Sequence, residues 1–312
     1  MTAVLRRWGY RRVISTAVTA VVLLIFSYVL YQQWQAGHFN ELKYPLAPIL
    51  LSALGMFGLA VLLGFLWCWI LRLLSNKRIL FKPLLYAHFV SWIARYIPGK
   101  ISQIAGKVVL SEGIGYRRGV LIASVFYENA FFIGSGISIV LLCLGPGSLT
   151  HILSPGWSEP WITVFALALI SGLLLSVYFL PSVMRRFLRG QGGLDGSISS
   201  GSVMLLFVSY HFAHLSAGLG FYLLLELLAP LNNVPLVVAI GILTAAHIGG
   251  VLAIVVPAGL GVRESILALL LASYMPMDQA IVVSAVTRIW STAADGYVLA
   301  SIPILGLVRK GI

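Results

Sequence analysis

Acidic side chains are scarce in this sequence: nine Asp and Glu stand against twenty-one Lys and Arg in 312 residues, and charged residues make up only 10% of the chain. Soluble domains carry about a quarter charged residues, so water is excluded as the main solvent of this fold. Cysteine is nearly missing. Cys68 and Cys143 both fall in apolar runs where a small hydrophobe serves equally well, which leaves no disulfide, metal or redox role to assign. No HExxH string occurs, and no Ser or Cys stands with His and a carboxylate in a nucleophilic arrangement. No polar stretch is long enough to fold a soluble domain.

What the chain has instead is apolar length. It is 60% hydrophobic with a mean hydropathy of +0.98, and its apolar runs are each about as long as the ~20 residues that cross a bilayer core. Runs of this length predict helices, because a barrel would show short alternating segments. Six full spans are expected: Val13 to Tyr31, Pro45 to Leu71, Gly119 to Leu144, Trp161 to Leu180, Val203 to Leu228 and Ala280 to Leu305. The first follows Arg6, Arg7, Arg11 and Arg12 like a secretory signal, but it is too long for a ~7–15-residue signal core and lacks a clear cleavage site. It is read as a retained helix.

Two further apolar stretches, Phe81 to Leu110 and Leu236 to Ala272, are interrupted near their middles by Ile97-Pro98-Gly99 and by Pro257-Ala258-Gly259-Leu260-Gly261. Proline lacks the donor a helix needs and glycine is costly within one, so each stretch is predicted to form two half-helices joined by a turn. Charge then favours a hairpin over a crossing. With two re-entrant hairpins, the basic groups at Arg6–Arg12, Arg72–Lys82, Arg117–Arg118, Arg185–Arg189 and Arg309–Lys310 all face the cytoplasm with both termini, and only Lys43 lies outside. The formal charge of +12 is then a topological signal, and no nucleic acid is needed to explain it.

The two halves, roughly 1–150 and 156–312, resemble each other. Ala87-His88 precedes Pro98-Gly99 by the same gap that separates Ala246-His247 from Pro257-Ala258, and each break is followed by a span with a deep charge, Glu128 or Arg288. The expected fold is an all-α integral membrane protein forming one membrane domain, with six transmembrane helices and two broken-helix hairpins in two inverted repeats.

Charge inside a membrane costs at least ~2.5–3.5 kcal/mol per group at a helix centre. Arg95 and Lys100 flank the first break, Arg263 and Glu264 follow the second, and Glu128 and Arg288 sit on the neighbouring spans. Convergence of the hairpins, with Pro98, Gly99, Pro257, Gly259 and Gly261 at their breaks, would gather these six charges in one chamber. Half-helix N-termini would add positive dipole ends. Such a chamber suits an anion, and arginine's fork suits phosphate. The competing reading is structural pairing, for instance Glu128 with Arg288 or Arg95 with Glu264. Lys107 is expected to snorkel to the interface. His88, His211, His214 and His247 are expected to make interhelical hydrogen bonds, and no metal or cofactor is expected.

The strings Arg95-Tyr96-Ile97-Pro98-Gly99-Lys100, with Gly106-Lys107 after it, and Pro257-Ala258-Gly259-Leu260-Gly261-Val262-Arg263-Glu264 resemble the transmembrane region of lysylphosphatidylglycerol synthetases over essentially the whole chain. That family often ends the first string in arginine where Lys107 stands, and reads Pro-Gly-Gly where this chain has Pro257-Ala258-Gly259. The resemblance implies a stand-alone flippase-like member without the soluble synthase domain, in a prokaryotic inner membrane. It implies movement of a lipid with an anionic phosphate headgroup, a phospholipid or a polyprenyl-phosphate-linked sugar. Two alternatives remain open. One is a membrane enzyme acting on lipid phosphates, although the D-G-x-x-A-R string of phosphatidyl-alcohol transferases is echoed only by Asp295-Gly296; the other is a non-transporting partner of a glycosyltransferase or lipid synthase.

Overall fold

The computed structural model describes residues 46–96, 101–153, 198–229, 234–253 and 259–306, together with Tyr28, Tyr31, Gln32, Gln35, Phe179, Arg186 and Val256. The expected spans Val13 to Tyr31 and Trp161 to Leu180 fall almost wholly outside these residues, as do Pro98, Gly99, Lys100 and Pro257. Among the described residues the fold is all-helical, with no strand. Its helices are α1 (Leu46–Ser52), α2 (Leu54–Ser75), α3 (Phe81–Ile93), α4 (Ile101–Glu112), α5 (Arg118–Leu153), α6 (Ser200–Leu228), α7 (Leu236–Leu252), α8 (Val262–Leu271) and α9 (Met277–Gly306).

Three stretches are long and apolar enough to cross a membrane: Ala47–Ser75, which joins most of α1 to α2 through a turn at Ala53, Arg118–Gly145 in α5, and Ser200–Leu228, the whole of α6. Helix α5 breaks where its expected span ends, because Gly145 adopts a φ of 67°. Helix α9 covers the last expected span in one piece of 30 residues. Its interior charges, Arg288 and Asp295, set it apart from the three apolar stretches.

Both interrupted stretches fold as the sequence predicts, into two helices that pack on each other: α3 with α4, through a 3-10 turn at Ala94–Tyr96, and α7 with α8. The turn that precedes α3 meets the turn that follows α4. Past the end of α2, where Asn76 closes the helix in the left-handed region (φ 50°), Lys77 Nζ donates to Gly115 O at 3.0 Å in the α4–α5 turn and lies over the Tyr116 ring.

The core is built by close helix contact. On α2, Gly55 lies so near α6 that a Cβ there would meet Ser216 O at 2.5 Å and the Gly220 Cα at 2.7 Å, and Ser216 Oγ donates to Gly55 O at 2.9 Å. Small residues permit such contact in apolar surroundings, where packing rather than water drives association. Gly136 on α5 similarly admits Ile248 of α7, and Gly218 on α6 admits Ile240. The outer helices interleave: α5 packs on α7, while α9 packs on α3.

Candidate functional site

Helix α3 ends before the first break, and the turn that follows carries Arg95 back over the Trp92 ring, with its guanidinium 4.4 Å from the ring centroid. Arg95 Nη2 donates to both oxygens of Asp295 on α9, at 2.7 and 2.5 Å, and Trp92 Nε1 donates to the same carboxylate at 2.8 Å. On α9, Ser284, Arg288, Ser291 and Asp295 recur every three or four residues, which gathers them on one face of the helix.

Helix α4 brings Lys107 to Glu128 of α5, and its ammonium donates to both carboxylate oxygens while lying 4.7 Å from the Trp67 ring. Gly106 makes this approach possible, since a Cβ there would sit 2.9 Å from Ser91 Oγ of α3. Lys107 is 2% exposed. The expected snorkelling is therefore overturned: a buried carboxylate is closer than the interface, and pairing with it removes the need to reach water.

At the second break, Gly259 has a φ of 67°, and a Cβ on it would lie 2.6 Å from the Gly250 Cα. Only glycine lets this backbone fold against α7. The turn delivers Arg263 and Glu264 at the start of α8. Glu264 takes the Gly261 N–H at 2.6 Å and faces Arg288 Nη1 at 3.5 Å. The positive end of α8, expected to be open to a ligand, is thus met by the chain's own carboxylate. Arg263 is 7% exposed; its Nη1 donates to Ser291 Oγ at 3.3 Å, and its buried Nη2 has no hydrogen-bond partner among the described residues. An unsatisfied donor of this kind costs about 1–3 kcal/mol.

Of the expected site residues, Arg95, Glu128, Arg263 and Arg288 line one cavity of about 180 Å³. Glu264 stands behind it on Arg288, and Lys100 lies outside the described residues. The pairing anticipated from sequence is exchanged: Glu128 meets Lys107 rather than Arg288, and Arg95 meets Asp295 rather than Glu264. Lys107, His247, Gln103 and Asn129 also line the cavity and were not among the expected site residues. The Asp295 signal was legible in the α9 stripe. Lys107 was visible in the Gly106-Lys107 string, but its pairing was not, because its partner lies on another helix.

The cavity wall is otherwise apolar, with Met56, Leu59 and Leu63 from α2, Phe132 from α5 and Val251 from α7. Three histidines make the expected interhelical bonds: His88 Nε2 to Ala60 O at 3.1 Å, His214 Nε2 to Phe132 O at 3.0 Å, and His211 with Ser138 Oγ at 2.7 Å. The fourth, His247, has a buried Nε2 with no partner among the described residues. Four cations beside an apolar wall can hold an anion that carries an apolar tail.

No protein-family model matches this chain, and no curated protein matches it either.

Proposed function

We propose that this chain is a lipid translocase, a flippase-like membrane transporter for a lipid with an anionic phosphate headgroup, whether a phospholipid or a polyprenyl-phosphate-linked lipid. The observation that carries the reading is the cavity: Arg95, Lys107, Arg263 and Arg288 meet beside apolar side chains, and one donor of Arg263 has no partner among the described residues. A phosphate headgroup is the part of a lipid that hydrocarbon rejects, and a polar chamber with an apolar flank shelters it while the tails stay in the membrane.

In this reading the protein has six spans and two re-entrant hairpins arranged as inverted repeats, with both termini cytoplasmic in a prokaryotic inner membrane. Two features support it. The Lys77–Gly115 contact fits a first hairpin that returns to its own side. The reciprocal packing of α5 on α7 and α9 on α3 fits two halves related by a two-fold axis. The motifs around Arg95 and Arg263 favour a relative of the lysylphosphatidylglycerol synthetase transmembrane region.

The test is leaflet exchange of headgroup-labelled phospholipid in proteoliposomes. Arg263→Ala, Arg288→Ala and Arg95→Ala are each expected to abolish exchange while the protein still reconstitutes; exchange equal to the parent in all three would refute the site. A second reading, a non-transporting partner of a glycosyltransferase or lipid synthase, draws on the ion pairs, since three of the four bases already face carboxylates. It expects no exchange by the isolated parent and co-purification with an enzyme.

A further inference from the structure

We infer that the cavity selects a phosphate diester bearing one negative charge and rejects the doubly charged monoester. The inference rests on the reading of this cavity as a lipid-phosphate site, and it names the chemical class that the site takes.

It follows from how the charges are distributed. Four cations line the cavity, and three carboxylates lie against them: Asp295 on Arg95, Glu128 on Lys107 and Glu264 near Arg288. Among the described residues one positive charge is left over. It belongs to Arg263, whose guanidinium meets only a serine hydroxyl through Nη1 and has an open Nη2. A diester offers two free oxygens that share one charge, which matches one guanidinium fork.

A monoester brings a second charge. To neutralise it, the site would have to turn Arg288 from Glu264, which it faces at 3.5 Å, or draw Arg95 or Lys107 off a carboxylate held through both oxygens, and each of these leaves a carboxylate less compensated in a medium that cannot solvate it. The cavity spans about 180 Å³, over ten times the ~10–15 Å³ that one water needs, so the phosphate group itself fits. His247, whose buried Nε2 has no partner, lines the same cavity on α7 and gives the diester a second polar neighbour.

The test compares ligands that differ by one methyl group. Dihexanoylphosphatidic acid and its methyl ester are titrated into the full chain, purified in uncharged detergent, at a pH of about 8, where the monoester is a dianion. The methyl ester is expected to bind roughly tenfold tighter or more, and equal or tighter binding of the acid would overturn the inference. Inorganic phosphate is expected not to compete. Dimethyl phosphate separates the sources: competition by it supports a diester site indifferent to tails, and its failure beside a bound methyl ester supports a lipid diester site.

Arg263→Lys keeps the charge without the fork and is expected to weaken the methyl ester, while Arg263→Gln removes the surplus charge and is expected to abolish its binding. Methyl-ester binding of parental strength in folded Arg263→Gln sinks the assignment, and if that variant does not fold, the ligand pair on the parent decides. Selective binding without leaflet exchange would leave this inference standing and defeat the translocase reading. Exchange of both lipids at one rate, with no difference in binding, would do the reverse.

Discussion

Lys107 shows what a single charge demands at depth. Its ammonium is held between the Glu128 carboxylate and the Trp67 ring, so neither partner can be removed alone without leaving a bare ion in apolar surroundings. Lys107→Met is expected to lower stability by about 3–5 kcal/mol, read by thermal unfolding in detergent. Adding Glu128→Leu should recover most of that loss. A double variant no more stable than the single one would mean that the pair is not what Lys107 contributes. The sequence shows both charges, but they stand 21 positions apart on either side of the α4–α5 turn, so their pairing is a tertiary fact. Arg288 and Asp295 are different. Two helical turns on one helix put them on a common face, and that much was readable from spacing.

Among the elements, the two hairpins were the most legible, because proline and glycine interrupt an apolar run only at a local cost that some other structure must justify. What the breaks do locally was less so. Glu264, three residues past Gly261, turns back to take that residue's N–H, and this occupies a helix end that dipole reasoning leaves open. The Gly259 contact provides a sharp test. Gly259→Ala combines a positive φ with a Cβ driven into the Gly250 backbone, so α8 must shift and take Arg263 with it. Leaflet exchange is expected to fall at least severalfold with helical content by circular dichroism unchanged. Gly115→Ala is the control: its φ is 98° but nothing lies within 4 Å of the added carbon, so it carries only backbone strain of roughly 1–2 kcal/mol. Equal activity in the two variants would remove α8 placement from the account.

For the whole molecule, the basic loops are the main guide to sidedness. On the hairpin reading, cysteines placed one at a time in a cysteine-free background at Lys77 and Arg118 label from the cytoplasmic face, and one at Lys43 labels from the other. Labelling of Lys77→Cys and Arg118→Cys from opposite faces would turn the first hairpin into a crossing. The limits of the described apolar helices, such as Leu228 and the break after Leu144, followed from hydropathy alone. The interleaving of the two halves did not, since Trp290 Nε1 to Ser52 Oγ at 2.9 Å, Tyr297 to Leu50 O at 2.9 Å and Arg95 to Asp295 join positions that no local pattern relates. The last of these pairs fixes an order of events during synthesis. Its members lie 200 residues apart, and ribosomes add ~5–20 residues per second, so Arg95 waits about 10–40 s before Asp295 is made. Throughout that interval the nascent first half carries an arginine whose native counter-ion does not yet exist.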